Sequence, residues 1–121
     1  MRFLKLAFLP LVLYSNGAYA DPQQEIKHLL QFVEQTSCTY ERNGSLHSGA
    51  EAKDHIQKKY EYYEDKVKTA EDFIKYSATE STFSSKKYKI HCANEATINS
   101  SDWLLSELQV YRNRQIEKSV P

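Results

Sequence analysis

The sequence predicts an α+β fold: about four helices packed on a small antiparallel sheet made of a hairpin plus one later strand, with one disulfide. Three observations point to it. Four stretches carry apolar residues at helical spacing. A Cys-Thr-Tyr-Glu-Arg run, an Asn-Gly pair and a Ser-Leu-His run follow one another as a β-hairpin does. A later Tyr-Lys-Ile-His-Cys run alternates like a strand and ends on the second of two cysteines.

Helix one is expected over residues 22–36. Proline suits a first helical position, where its missing N–H would have had no helical partner, and Ile26, Leu29, Leu30 and Val33 recur every three or four residues. The hairpin strands follow at 38–42 and 45–47. They are joined by Asn43-Gly44, a pair that readily takes the positive φ angles of a tight type I′ turn. Ser48 and Glu51 form a capping-box pattern that opens helix two, expected to reach about residue 68 on a stripe of Ala52, Ile56, Tyr60, Tyr63 and Val67. Thr69 and Asp72 repeat the pattern for helix three, whose Ala70, Phe73, Ile74 and Ala78 form one face. The Ser/Thr/Lys-rich run 79–87 reads as a loop.

On the strand 88–92, Tyr88, Ile90 and Cys92 share a face, as Cys38 and Tyr40 do on theirs, so both thiols can point inward between paired strands. After a polar loop, helix four begins at Ser101 and turns Leu104, Leu105, Leu108 and Tyr111 inward. Trp103 belongs to the core or its rim. The tail after about residue 115 is expected to fray.

Residues 1–20 have the three parts of a cleavable export signal. Arg2 and Lys5 are basic, residues 6–14 are almost wholly apolar, and Ala18-Tyr19-Ala20 offers the small side chains a signal protease needs, placing the cut after Ala20. A membrane-spanning helix needs about 20 apolar residues; this run is far shorter and contains Pro10. No cysteine for lipid attachment and no paired arginine occur in it. The mature chain, 21–121, is therefore expected as one small periplasmic domain with no membrane span.

Without Arg2 and Lys5, the 16 basic residues fall to 14 against 16 acidic ones, a net of −2. A nucleic-acid binder normally shows a basic excess, so that class is disfavoured, and nothing draws the chain to an anionic membrane. In an oxidising compartment the two cysteines, Cys38 and Cys92, read as a disulfide. The rival reading is a Cys92 nucleophile beside His91, but adjacent strand residues point to opposite faces, and a free thiol would need a reducing or protected setting.

Four segments together resemble a family of small exported bacterial proteins, domain of unknown function 5329: Cys38-Thr-Tyr-Glu-Arg-Asn-Gly44, Ala52-Lys-Asp-His-Ile-Gln-Lys-Lys-Tyr60, Thr69-Ala-Glu-Asp-Phe-Ile74 and Ser101-Asp-Trp-Leu-Leu-Ser-Glu-Leu108. The resemblance spans nearly all of the mature chain. It supports the fold and export and implies no activity. Where the family pattern is similar to Ser-x-Ser-Gly-x-Pro-Tyr, this chain reads Thr82-Phe-Ser-Ser-Lys-Lys-Tyr88, with Ser85 and Lys87 in place of the turn glycine and the proline.

The best polar constellation is Arg42 and Asn43 at the hairpin turn, His47 leading into helix two, and His55, Lys59 and Tyr62 along one helix face. If the hairpin folds against the helix start, the cations would converge near its N-terminus and suit a carboxylate or phosphate. The commoner role for such residues is structural, with Arg42 steadying the turn and His55 bonded to backbone. Metal-ligand pairs are weak: Glu25 with His28 and Glu51 with His55 lack a third ligand. No metal or other cofactor is expected. Acids alternate with lysines, as Asp54 with Lys58 and Glu64 with Lys68, in the manner of solvated helix faces. No nucleophile-elbow or phosphate-loop motif occurs. Tyr60, Tyr62 and Tyr63 suit either a small core or partner recognition. The leading expectation is a non-enzymatic periplasmic binding or interaction protein for an envelope protein or small anionic ligand, including an inhibitor or immunity-type role. The alternative is a cell-envelope enzyme using His55 or His91 as acid–base.

Overall fold

The computed structural model describes residues 21–120; the expected export signal and its cut lie outside the described residues. The elements are α1 (Pro22–Gln35), β1 (Thr39–Arg42), β2 (Ser45–His47), α2 (Gly49–Tyr62), a 3-10 turn (Glu64–Lys66), α3 (Ala70–Ser77), β3 (Lys89–His91), β4 (Ile98–Asn99) and α4 (Ser100–Ser119). The sheet order is β2-β1-β3-β4, each neighbouring pair antiparallel. The fold is α+β, as predicted.

Local chemistry sets the helix starts. The Asp21 carboxylate accepts the Gln23 N–H ahead of α1, and the full capping boxes Ser48/Glu51 and Thr69/Asp72 open α2 and α3. Each cap satisfies amides that have no helical partner and contributes about 1 kcal/mol. Asn43 and Gly44 have φ of +53° and +82°, the left-handed pair a type I′ turn demands.

Tyr40 faces Ile90 and Glu41 faces Lys89 across β1 and β3. Continued two residues either way, that register sets Cys38 opposite Cys92 and Arg42 opposite Tyr88. The disulfide joins Cys38 to Cys92, with Cα atoms 4.5 Å apart. Tyr40, Tyr88 and Ile90 then share the face that meets the helices. They pack in one core with Leu29, Leu30 and Val33 of α1, Ile56 of α2, Phe73 and Ile74 of α3, and Leu104 and Leu108 of α4. Trp103 sits at the rim against Phe32 and Tyr40. The Tyr40 hydroxyl is buried but satisfied at 2.6 Å by Ser100 Oγ, and burial pushes its ionisation well above the usual tyrosine range.

Four expectations need correction. Helix α2 ends at Tyr62, not near residue 68: the chain tightens into the 3-10 turn at Glu64–Lys66, and Asp72 then draws the amides of Lys68 and Thr69 into the cap of α3. Val67 still reaches the core through the 3-10 turn. The sheet gains β4, where Ile98 pairs with Ile90 in a run otherwise too polar to signal a strand. Helix α4 extends past residue 115 to Ser119, through good helix formers with no glycine or proline to stop it. Its Leu105 is exposed, a quarter turn away from the buried Leu104 and Leu108.

One ionic cluster ties three helices. Arg112 of α4 reaches the buried Glu25 of α1 at 2.7 and 3.0 Å and Glu71 of α3 at the same distances. The arginine holds the Glu71 carboxyl below the usual carboxylate range. His28 bonds Glu107 at 2.6 Å and stacks on Tyr111. Glu25 and His28, paired in sequence, are thus engaged separately.

Candidate functional site

The hairpin and α2 leave a common corner at Ser48. A strand advances about 3.3 Å per residue and a helix about 1.5 Å. The stretch from Ser48 back to Asn43 and the stretch on to Lys59 therefore each span roughly 16 Å. The hairpin turn comes to rest beside the last turns of α2, not beside its start. Alternation along β1 places Arg42 on the same face as Cys38 and Tyr40, beyond the end of the core.

A cleft of about 600 Å³ opens there. Arg42 and Asn43 form one side, and His55, Lys58, Lys59, Tyr62 and Tyr63 of α2 and its C-cap form the other. Ser81, Thr82 and Phe83 close the far end, with Tyr88 beneath. Five of the six residues singled out in sequence, Arg42, Asn43, His55, Lys59 and Tyr62, are brought together. His47 does not line the cleft; it lies half-buried near Glu51, 3.8 Å from its carboxylate, and acts on His55 only through its charge. The expected convergence at the helix N-terminus is also corrected: the positive potential comes from side chains, since the helix start lies some four turns away from Tyr62.

The floor is a hydrogen-bonded set. His55 Nε2 lies 3.2 Å from the Tyr88 hydroxyl, so the ring is bonded to a side chain and not to backbone. Lys59 Nζ donates to the Tyr88 hydroxyl at 3.1 Å and to the Glu80 carbonyl at 2.7 Å. Asn43 donates to Ser81 Oγ at 3.3 Å and accepts from Ser84 Oγ at 2.6 Å, lashing the hairpin turn to the loop before β3. That loop is compact: Ser81 N donates to the Lys86 carbonyl, and Glu80 pairs with Lys87 as an isolated bridge. Ser85 in this loop has a φ of +59°, the left-handed region that favours glycine.

The electrostatics are one-sided. Among the described residues no Asp or Glu lines the cleft, whereas Arg42, Lys58 and Lys59 do. Burial, then the charges of Arg42 and Lys59, pull His55 down to about 4, so its ring is neutral near pH 7. Burial holds Lys59 below the ordinary lysine value, with Glu80 opposing and Arg42 assisting. Burial raises Tyr88, keeping the phenol protonated. Lys59 is committed to two oxygens, but Arg42 and Lys58 make no ion pair or side-chain hydrogen bond among the described residues. Lys58 in particular is not paired with Asp54.

Tyr88, Lys58 and the loop residues Ser81, Thr82 and Phe83 were not among the sequence candidates, and Tyr63, expected on the core stripe of α2, lines the cleft instead. Tyr88 carried a readable signal: pairing Cys38 with Cys92 and counting outward sets it opposite Arg42. Phe83 sat in a polar loop with nothing to mark it.

His91 lies on the sheet face away from the core. Its Nε2 is 2.7 Å from Glu41 and its Nδ1 2.9 Å from Thr97 Oγ1. No group of three or more His, Cys, Asp or Glu residues able to hold a metal occurs among the described residues, and no helix among them is long and apolar enough to cross a membrane.

Neither a curated protein nor a solved structure matches the chain. Residues 20–112 match a family model described as a family of unknown function, a span that holds the disulfide, the sheet and every residue of the cleft. The chain belongs to the family of unknown function DUF5329.

Proposed function

We propose that the chain is a non-enzymatic binding protein of the periplasm that engages an anionic group of a small ligand or partner protein through this cleft. An inhibitor or immunity-type protein acting on an envelope enzyme is one form of that role. The observation that carries the reading is the Arg42 guanidinium, unpaired among the described residues, at a cleft lined by no acid. A cation in a partly dry site without a counter-charge favours any anion that can reach it. Export rests on the leader-like residues 1–20 and the pair of cysteines suited to an oxidising compartment.

A catalytic role for His55 gains no support from its surroundings, because no carboxylate lines the cleft to orient the ring or stabilise its charged form. The one observation favouring an enzyme is the Glu41–His91–Thr97 chain. It resembles an oriented base beside a hydroxyl, but it lies away from the cleft.

Affinity capture from envelope extract, using the mature oxidised protein, tests the binding role. A partner retained by the wild type and lost at least tenfold with Arg42→Ala or His55→Ala is the expected result. A partner recovered equally on all three proteins would place the contact elsewhere. Recovery of full-length chain from the cytosol, with both thiols free, would overturn the periplasmic assignment.

A further inference from the structure

We infer that the cleft takes a carboxylate attached to a flat ring: an aryl-alkyl acid, or the C-terminal carboxylate of a peptide ending in an aromatic residue. The inference rests on the binding role proposed above and names the ligand's chemistry.

Size excludes a bare inorganic ion as the natural fit. The cleft holds about 600 Å³, some twenty times the roughly 30 Å³ of a water molecule. Its lining is mostly apolar, which favours a ligand with an apolar body and few polar atoms.

The polar end points to carboxylate. Arg42 offers a planar fork whose parallel N–H groups match two carboxylate oxygens. The neutral His55 beside it can donate one hydrogen bond without adding a second full charge. Lys59 is already held by Glu80 and Tyr88. With the unpaired Lys58 exposed to water at the margin, the half-buried fork and one neutral donor suit a single negative charge better than a doubly charged phosphate.

The apolar end points to a ring. Phe83 is 98% exposed and Tyr62 79% exposed, and both line this one cleft from opposite elements. Large aromatics left in water at the two lips of an apolar cleft gain contact area when a ring enters between them. Tyr62 is packed edge-on to Tyr63, and Tyr63 lies against Tyr76, so this lip is braced. Phe83 sits on a loop lashed to the hairpin turn through Asn43 and Ser84. The Phe83 wall and the fork that would hold the acid are therefore tied to the same hairpin turn.

Isothermal titration of the mature oxidised protein tests this with five probes: 3-phenylpropionate, its neutral analogue 3-phenylpropanol, inorganic phosphate, a tetrapeptide ending in phenylalanine, and the same peptide amidated. The phenylpropionate or the free-acid peptide should bind at least tenfold more tightly than the alcohol, the amide and phosphate. The tighter of the two acids identifies the source. Arg42→Lys should weaken the acid at least fivefold, since lysine lacks the fork, and Phe83→Ser should weaken it without affecting phosphate. Arg42 ends β1 half-buried and Phe83 sits on an exposed turn, and circular dichroism verifies that both variants fold. Phosphate binding as tightly as the acids would overturn the ring and leave the anion cleft standing. Alcohol binding as tightly as the acid would overturn the carboxylate. Binding by none of the five would overturn this ligand class, while the capture experiment still judges the binding role independently.

Discussion

At the scale of single residues, the cleft depends on groups kept in unusual states by their neighbours. His55 is the clearest case. Its folded value, about 4, lies below the 6.5 of an unconstrained histidine, because burial and the nearby cations disfavour the charged ring. Between pH 6.5 and 4 the unfolded chain binds the proton that the folded chain refuses, so stability is complete above that window and declines as pH falls through it. His55→Gln should abolish this component while keeping a polar side chain able to bond the Tyr88 hydroxyl. Urea midpoints at pH 7 and pH 4.5 measure it as a difference between the two proteins, in which the other titrating groups cancel. The expected extra loss in the wild type is about 1 kcal/mol, the full linkage value being reduced for a ring partly open to water. Equal losses in both proteins would contradict a refused proton at His55. Arg42, Asn43, His55, Lys59 and Tyr62 were legible as a group because helical spacing and a turn motif place polar residues without any tertiary information. His47 was not separable from them by that means, since one residue of strand decides which side of the corner it occupies.

At the scale of elements, the signals that were read correctly are local: two capping boxes, the Asn-Gly turn and the alternation of β1 and β3. The errors lie where one element's end is set by another. Helix α2 stops early, tightening into a 3-10 turn before the amides that α3 claims for its cap, and β4 exists only because β3 is there to pair with it. The meeting of α1 and α2 is a further case, invisible in the sequence. Gly49 begins α2 against the end of α1, and a Cβ there would overlap the Val33 carbonyl and touch the Thr36 methyl. Gly49→Ala should therefore destabilise the protein by about 2 kcal/mol, although alanine is the better helix former by about 1 kcal/mol. Chemical denaturation reads the difference. A stabilised variant would mean that the two helices do not approach so closely.

At the scale of the whole molecule, a modest core is supplemented by two long-range ties. The disulfide spans 54 residues of sequence, from just before β1 to just after β3, and in the chain-entropy model a loop of that length stabilises by about 4 kcal/mol. Arg112 joins α1, α3 and α4. Cys38→Ser with Cys92→Ser should lower stability by about 2–4 kcal/mol in thermal unfolding. It should also loosen the cleft, because the cross-link fixes the register that sets Arg42 over Tyr88. The disulfide was legible from an even pair of cysteines behind a leader-like start. The Arg112 cluster was not, because nothing in the periodicity of α4 links residue 112 to residues 25 and 71.

The most direct measurement follows the Arg42 side chain itself, through its Nε–H resonance in the mature oxidised protein, as 3-phenylpropionate is added. A saturable downfield shift of that signal, lost in Arg42→Lys, would establish that this guanidinium receives the carboxylate. An unmoved Arg42 signal at saturating acid, with shifts confined to another face, would show that the unpaired cation is not the point of contact.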